Sequence, residues 1–297
     1  MTALQTRRNL SRLADAYVCC ADDDLLARIM RHEQAVAATP VPRPQRTLKR
    51  EPKPQAAPPE PQSAPAIVAG KLFAKALRAA SKFAHRGLKS HDWQGRRLDK
   101  PTPERPELHC VRVETEPGLV RLIATDTYRL YIVTLECEGG HEGAVSIPLP
   151  EVEALAKAAQ EQAAFEVPTG DGGGFVNWRK HNPISEPVAA ATCAASDLLQ
   201  NVRLANIIAR DDNGRVTFTL GDGEVALSAK THDSAMQTAF DATVTGEARV
   251  ALQAPYVAQF ADLAKRQPVT LQVWGGLSPV RFVAGHQQYI LMPMWAL

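Results

Sequence analysis

A repeated segment constrains the fold of this 297-residue chain more than any other feature. The stretch AVSIPLPEVEALAKAAQEQAAFEV, which starts at Ala144, is matched by RVALQAPYVAQFADLAKRQPVTLQV, which starts at Arg249. In both stretches a strand pattern leads into a helix pattern near a proline, Pro150 or Pro255, and another strand pattern follows. Proline is favoured in the first turn of a helix because the amide it lacks would have no partner there. A repeat of this length predicts two copies of one domain rather than a solenoid of short units.

Each copy also opens with a helix pattern that strand patterns follow. In the first copy we expect a helix over about residues 71–89 and strands near residues 108–115, 119–125 and 129–136. In the second copy we expect a helix over about residues 196–209.

The clearest hairpin signal lies in the second copy, where the strand patterns VTFTL and EVALSA are joined by Gly-Asp-Gly at residues 221–223. Val216, Phe218 and Leu220 alternate with threonines, so one face of the sheet is buried and the other is polar. These patterns predict an α+β fold with antiparallel sheets, in which each copy has two helices and about six to eight short strands.

The N-terminal residues differ in composition from the repeat. Residues 39–66 are rich in Pro, Gln and charged residues and have few large apolar side chains. Such a segment cannot bury enough apolar surface to offset the conformational entropy that ordering would cost. This composition therefore predicts a disordered linker. Residues 1–38 have helical spacing but are too few for a core, and we interpret them either as a hook for a partner or as a loosely ordered tail. The predicted domains are residues 67–183, the first copy, and residues 184–297, the second copy.

The helix expected from residue 71 carries positive charge on one face. At about 100° per residue, Lys and Arg share one side and Leu, Phe and Ala the other, and the segment has no acidic residue. Like charges at this spacing repel, and a polyanion would offset that cost. We interpret this basic face as a contact with nucleic-acid phosphates, and a solvated amphipathic helix is the alternative. The basic face comprises Lys71, Lys75, Arg78, Lys82, Arg86 and Lys89, and Arg203 and Arg210 add to it from the second copy.

No pattern predicts catalysis. The eight histidines and five cysteines lack metal-ligand spacing, so we expect neither a metal nor a cofactor. The glycine-rich residues 170–174 lack the Lys-Ser/Thr of a phosphate loop and predict a hairpin turn. Asp126 has no acidic neighbour for a two-metal site, and we expect it to cap a turn or to pair with Arg129. The chain is therefore predicted not to be an enzyme.

The sequence also gives expectations about location. No apolar run approaches the roughly 20 residues that a membrane span needs, and the N-terminus lacks the apolar core of a signal peptide. We expect a cytoplasmic protein with reduced thiols and no membrane partner.

Two short motifs resemble those of a known family. LIATDTYRL, residues 122–130, is similar to the Ala-Thr-Asp-x-x-Arg-Leu signature of the bacterial DNA polymerase III β sliding clamps. YILMPMWAL, residues 289–297, is similar to their C-terminal Val-Met-Pro-Met-Arg-Leu. The order of the intervening segments also matches, so that residues 67–297 resemble the middle and last domains of these clamps. Thr127, Tyr128 and Trp295 stand where the family has Gly, His and Arg.

The resemblance implies a processivity factor whose ring encircles duplex DNA, with sheets outside and two helices of each domain inside. Clamps of this family have three domains in each of two chains. Two domains per chain would require three chains for a six-domain ring, so the expected state is a homotrimer. The implied partners are duplex DNA, bound without sequence preference, a DNA polymerase and a clamp loader.

The resemblance also implies a pocket for short peptides of client proteins between the two copies. Met and Leu side chains give an adaptable apolar surface for such peptides. Carried over to this sequence, the pocket residues are Thr125, Tyr128, Arg129, Leu130, Pro187, Leu291, Met292, Pro293 and Met294.

A second hypothesis keeps the fold but not the ring. In it, the chain is an interaction protein that sequesters clamp-binding peptides or regulates transcription. The oligomeric state separates the two hypotheses, because a monomer that binds such peptides supports the second.

Overall fold

The computed structural model describes residues 64–86, 105–170 and 172–295, all of which belong to one compact unit, Pro61–Leu297. The segment predicted over residues 1–38, most of the linker predicted over residues 39–66, and Lys89 lie outside the described residues.

The first copy contains two helices and six strands among its described residues. Pro150 lies in a 3-10 turn, Leu149–Glu151, that leads into the second of these helices, as the repeat predicts. The elements are β1 (Ile67–Ala69), α1 (Gly70–Ser81), β2 (Cys110–Glu116), β3 (Leu119–Thr125), β4 (Arg129–Glu136), β5 (Gly143–Pro148), α2 (Val152–Gln160) and β6 (Ala164–Glu166).

The second copy has the same order of elements except for an additional strand, β11 (Thr243–Thr245), before β12 (Ala248–Gln253), and it continues further. Its proline, Pro255, lies in the first turn of its second helix. The elements are β7 (Ala189–Ala194), α3 (Ala195–Ala209), β8 (Arg215–Gly221), β9 (Glu224–Lys230), β10 (Ala235–Asp241), β11 (Thr243–Thr245), β12 (Ala248–Gln253), α4 (Ala254–Ala264), β13 (Pro268–Val273), β14 (Val280–Ala284) and β15 (Gln287–Leu291).

The strands form three antiparallel sheets, which confirms the predicted α+β fold. The largest sheet has nine strands in the order β11-β7-β13-β14-β15-β4-β3-β2-β5, and the others are β10-β9-β8-β12 and β1-β6. The nine-stranded sheet crosses from one copy to the other where β15 pairs with β4, with Leu291 opposite Arg129 and Gln287 opposite Val133. We call this pairing the internal joint.

The two copies correspond residue by residue over most of their length. β2 begins at Cys110 and β8 at Arg215, 105 positions later, and Leu119 and Glu224, which begin β3 and β9, are the same distance apart. The copies diverge after β6. The second copy continues from β13 into the hairpin β14–β15, whereas residues 167–188 of the first copy, called the linking segment below, contain no strand among the described residues.

Each copy builds its core by packing a pair of helices against sheet. α1 packs on α2 and on β3 and β4, and α3 packs on α4, β8 and β9. The buried side chains of α1 include Phe73, whose ring centre lies 5.0 Å from that of Phe165 on β6. Removing such large apolar side chains from water is the dominant favourable term in folding.

The predicted length of α1 is wrong at its C-terminal end, because the helix ends at Ser81 rather than near residue 89. Phe83 turns into the core and stacks on Tyr131 at 4.5 Å between ring centres. The amide of His85 then donates to the carbonyl oxygen of Thr125 at 3.2 Å. Burial of a phenylalanine ring therefore outweighs the helical preference of these residues.

The hairpin turn predicted over residues 170–174 is also wrong. The strand before it, β6, pairs with β1, and the residues described between β6 and β7, all but Asp171, form no strand. Gly172 and Gly173 have φ angles of 80° and 49°, a left-handed backbone conformation that glycine adopts without strain.

Candidate functional site

A groove of about 280 Å³ lies where the two copies meet, beside the internal joint. The turn between β3 and β4 forms one wall, and the residue directly after β15 forms part of the other. Of the nine residues predicted for a peptide pocket, the groove brings together Thr125, Tyr128, Arg129, Leu130 and Met292.

The other four predicted residues, Pro187, Leu291, Pro293 and Met294, do not line this groove. Leu291 is buried in the ladder of the internal joint. The amide of Met294 donates to the carbonyl oxygen of Ala251 at 2.8 Å, which directs the tail toward β12.

The rim of the groove exposes large side chains. Tyr128 is 55% exposed and Met292 is 42% exposed, and the amide of Met292 donates to the carbonyl oxygen of Tyr128 at 2.9 Å. This bond holds the two walls together. Exposed apolar groups beside a concave surface are typical of a docking site for another molecule.

A network of hydrogen bonds fixes the turn that presents Tyr128. Oδ1 of Asp126 accepts hydrogen bonds from the amides of Tyr128 and Arg129, each at 3.2 Å. The hydroxyl of Thr125 donates to the carbonyl oxygen of Arg129 at 2.7 Å and accepts from the amide of Thr127 at 3.2 Å. The predicted structural role of Asp126 is confirmed. Thr127 has a φ of 81°, a conformation that a β-branched residue rarely adopts.

The guanidinium of Arg129 is buried among groups from both copies. Its Nε donates to Oδ2 of Asp126 at 2.8 Å, and its Nη1 donates to Oε1 of Gln259 on α4. The same group lies 4.3 Å from the ring centre of Tyr256 and 5.2 Å from that of Phe83. Arg129 therefore ties the β3–β4 turn to the second copy, in addition to lining the groove.

Burial and neighbouring groups shift the pKa values of both Arg129 and Tyr256. Burial disfavours the guanidinium of Arg129, but Tyr289 and Asp126 outweigh it, so the pKa of Arg129 lies above its ordinary value. Burial, with a smaller effect of the Asp126 carboxylate, raises the pKa of Tyr256 to about 12. The arginine stays charged and the tyrosine stays neutral throughout the physiological range.

The linking segment supplies a wall of the groove that the sequence did not predict. Trp178 is buried against Ile123, Leu130 and Ile290, and its Nε1 donates to Oε1 of Glu114 at 3.2 Å. The only feature of the sequence that could have indicated this wall is a few isolated large apolar residues, such as Phe175 and Trp178, within a Gly- and Pro-rich stretch. The groove residues that the sequence analysis missed are Arg105, Leu108, Thr127, Val176, Trp178, His181 and Ile290.

The basic face is only partly free of acidic partners. Lys71, Lys75, Lys82 and Arg86 are exposed and form no ion pair with any other described residue. Arg78 instead bonds to Glu153 on α2 at 2.8 Å, and this hydrogen bond keeps the pKa of the Glu153 carboxyl below its usual range.

The helices of the second copy are less cationic. Arg210 is exposed, but Arg203 lies 3.3 Å from Asp262 on α4. The exposed side of α3 also includes Leu204 and Ile207, which have no favourable interaction with phosphates. Of the residues predicted to face DNA, those that are exposed and form no ion pair with another described residue therefore lie mostly on α1 and directly after it.

The described residues contain no group of His, Cys, Asp and Glu side chains that could hold a metal ion. Among these same residues, no helix is both long and apolar enough to cross a membrane.

Comparison with solved structures identifies the fold. The chain is similar to the DNA polymerase III β subunit of Thermotoga maritima, with a TM-score of 0.65, 16% identity and coverage of 82% of this chain and 68% of that one. It is also similar to the DNA polymerase III β subunit of Pseudomonas aeruginosa, with a TM-score of 0.64, 15% identity and coverage of 82% and 69%. Neither a protein-family model nor a curated protein sequence matches the chain. The chain therefore has the fold of the β clamp, as its motifs predicted.

Proposed function

We propose that this chain is a DNA sliding clamp, a polymerase processivity factor that encircles duplex DNA and tethers a replicative polymerase through the groove. The observation that carries the proposal is an acid-free cationic helix, α1, within a clamp fold whose two copies form an apolar groove. In this proposal the protein acts in the cytoplasm without catalysis, cofactor or metal. Three chains supply the six domains of a ring.

The chemistry of the basic face suits DNA rather than a specific base sequence. Lys71 and Lys75 lie one helical turn apart on α1, and Lys82 and Arg86 extend the same positive surface beyond its end. Such contacts neutralise phosphates and release counterions, so they position the protein without selecting bases. A ring can then remain on DNA by enclosure while each contact stays weak.

The chemistry of the groove suits an extended peptide with apolar side chains. Met292 is unbranched and polarizable, and Tyr128 offers an aromatic ring with a polar end. Trp178 and Leu130 form the apolar wall below them. We infer that a peptide of the polymerase, and in turn one of the clamp loader, binds here.

The DNA contact is tested with a charge-reversal variant, Lys71→Glu/Lys75→Glu. Its affinity for linear duplex DNA should fall by at least about tenfold, and the slope of log affinity against log salt should decrease by about 2. The matched control, Lys180→Glu/Lys230→Glu, makes the same change of charge at two exposed lysines outside the four α-helices. Equal losses in both variants, or none in either, would argue against a DNA-facing α1.

A second candidate function is a clamp-fold interaction protein that does not form a ring. It is favoured by one observation: among its described residues, the first copy has no counterpart of the hairpin β14–β15, whose strand β15 forms the internal joint. A chain that binds clamp-seeking peptides but sediments as a monomer at working concentration would support this candidate. A stable trimer would support the clamp.

A further inference from the structure

A second concave surface lies in the second copy, on the polar face of the sheet β10-β9-β8-β12. Its volume is about 910 Å³, which is within the range of ligand-binding sites. Val216, Phe218 and Leu220 are buried on the other side of the same sheet. We call the polar side the open face, and its polar and charged residues are Arg215, Thr217, Ser228, Lys230, Gln237 and Arg249.

The open face corresponds in position to the groove of the first copy. In the first copy this side of the sheet is apolar, and Trp178 of the linking segment packs against it. The three sheet residues that pack on Trp178 there, Ile123, Leu130 and Ile132, are replaced in the second copy by Ser228, Ala235 and Gln237. Ala235 and Gln237 are exposed. The two copies therefore present equivalent surfaces of different chemistry, one apolar and one polar.

Two cations stand side by side on the open face. Thr217 on β8 lies opposite Ser228 on β9. Two residues further along the same register, Arg215 lies opposite Lys230. Like charges directly opposite each other on neighbouring strands are destabilising. A bound anion would offset this repulsion, so the pair favours a negatively charged ligand.

A third cation, Arg249 on β12, extends the positive charge along the sheet. Gln253 of β12 lies opposite Arg215, and Arg249 lies opposite Thr219. Arg215 and Arg249 are therefore separated by four residues along the strand direction, which is about 13 Å. Both Lys230 and Arg249 are exposed, and neither forms an ion pair with another described residue. A ligand with several negative charges along its length would match this spacing.

The polar groups of the open face make few hydrogen bonds within the chain. The ionic partner of Arg215 is Asp212, whose Oδ2 lies 3.6 Å from Nη1, which is longer than a hydrogen bond. Nε and Nη1 of Arg215 donate to no described residue. The side chains of Thr217, Ser228 and Gln237 also form no hydrogen bond with another described residue. These groups are therefore available to a ligand.

We propose that the open face binds an extended, acidic segment of a partner protein. Carboxylates of this segment pair with Arg215 and Lys230 at one end and with Arg249 at the other. Asp211 and Asp212 line the same cavity and would repel a uniformly charged polyanion such as DNA, whereas a peptide can place neutral residues beside them. None of the described residues that line the cavity is Phe, Tyr or Trp, so a nucleotide base has no aromatic ring to stack on.

Fluorescence anisotropy of the full chain with a fluorescein-labelled peptide of alternating Glu and Ser residues tests the proposal. In an extended peptide this alternation places every carboxylate on one side, where it can face the sheet. The matched peptide has Gln in place of Glu. The wild type should bind the Glu peptide at least about tenfold more tightly than the Gln peptide, and added salt should weaken this binding. Equal affinities for the two peptides would overturn the proposal.

Variants of the chain assign the binding to the open face. Arg215→Gln/Lys230→Gln should weaken binding of the Glu peptide by at least about tenfold. Lys230→Gln alone changes an exposed side chain without an ion pair to another described residue, so it should fold normally and weaken binding by about threefold. The control, Lys157→Gln/Arg266→Gln, removes the same two charges at exposed positions on α2 and beyond the end of α4. It should bind as the wild type does, and an equal loss in the control would contradict the assignment.

Duplex DNA is the alternative occupant of the open face. If Arg215→Gln/Lys230→Gln lowered the affinity for linear duplex DNA as much as the affinity for the Glu peptide, the open face would bind nucleic acid and the proposal would be wrong. A loss confined to the Glu peptide supports the proposal. These measurements require neither a ring nor the cations of α1, so their outcome is independent of the proposed clamp function.

Discussion

The two copies of the domain share their internal elements and differ at their surfaces. The second copy includes the hairpin β14–β15, and β15 forms the internal joint with β4. The first copy stops at β6 and uses the linking segment to wall the groove. Its helix α1 has no acidic residue, whereas α3 carries Asp197 and an exposed Ile207. The elements that both copies share therefore determine the fold. The candidate functional surfaces lie where the two copies differ.

The largest expected effect concerns the turn before β4. Arg129→Met leaves the carboxylate of Asp126 buried without its charged partner, so the free energy of unfolding should fall by about 3–5 kcal/mol. The corresponding residue of the second copy, Ser234, is exposed, and Ser234→Ala should change stability by less than about 0.5 kcal/mol. Urea denaturation of both variants measures the difference, and similar losses would contradict the role of Arg129 in linking the copies.

The next effect concerns the wall formed by the linking segment. Trp178→Ala removes a buried indole and should lower the free energy of unfolding by about 3 kcal/mol, while weakening peptide binding in the groove. Trp295 is 75% exposed, and Trp295→Ala should change stability by less than about 0.5 kcal/mol. Thermal denaturation and fluorescence titration with a client peptide give the two readouts. If Trp178→Ala bound the peptide with unchanged affinity, the linking segment would not be part of the binding site.

A smaller effect of opposite sign is expected at Thr127. Glycine accepts the positive φ of this position without strain, so Thr127→Gly should raise the free energy of unfolding by about 1 kcal/mol. The corresponding residue of the second copy, His232, does not have a positive φ, and His232→Gly should be neutral or destabilising. Chemical denaturation would contradict this account if both substitutions shifted stability in the same direction.

The smallest effect is a dependence of stability on pH that comes from Glu116 of the first copy. The hydrogen bond from Arg121 lowers the pKa of the Glu116 carboxyl below 4.5. Its stabilising contribution is therefore present above pH 4.5 and is lost as the pH falls through the lower folded pKa. Because Glu116 is partly exposed, screening keeps the contribution below about 1 kcal/mol. Urea denaturation at pH 7 and pH 3 measures this contribution. Glu116→Gln should reduce the loss of unfolding free energy between these two pH values. Glu136 is exposed at the end of β4, and the control Glu136→Gln should not reduce that loss.

The repeat and the alternation of apolar residues predicted most of the fold. The hairpin signal at residues 221–223 and the strands near residues 119–125 and 129–136 agree with β3, β4, β8 and β9. Patterns with a period of two residues, together with turn glycines, depend on local chemistry, so one sequence suffices to detect them.

The candidate site was only partly predictable, because tertiary contacts decide the rest. Arg129 was expected at the groove, but its bond to Gln259 joins residues 130 positions apart. The position of Trp178 depends on a sheet that forms from both copies, and no local pattern encodes it. The early end of α1 likewise follows from the pocket that Phe83 fills.

Electron cryo-microscopy of the assembled particle on a short DNA duplex tests the central claim most directly. The account predicts three chains around an opening that holds the duplex, with Lys71 and Lys75 of each α1 directed toward the phosphates. A particle without an opening, or one in which α1 lies on the outer surface away from the DNA, would contradict it.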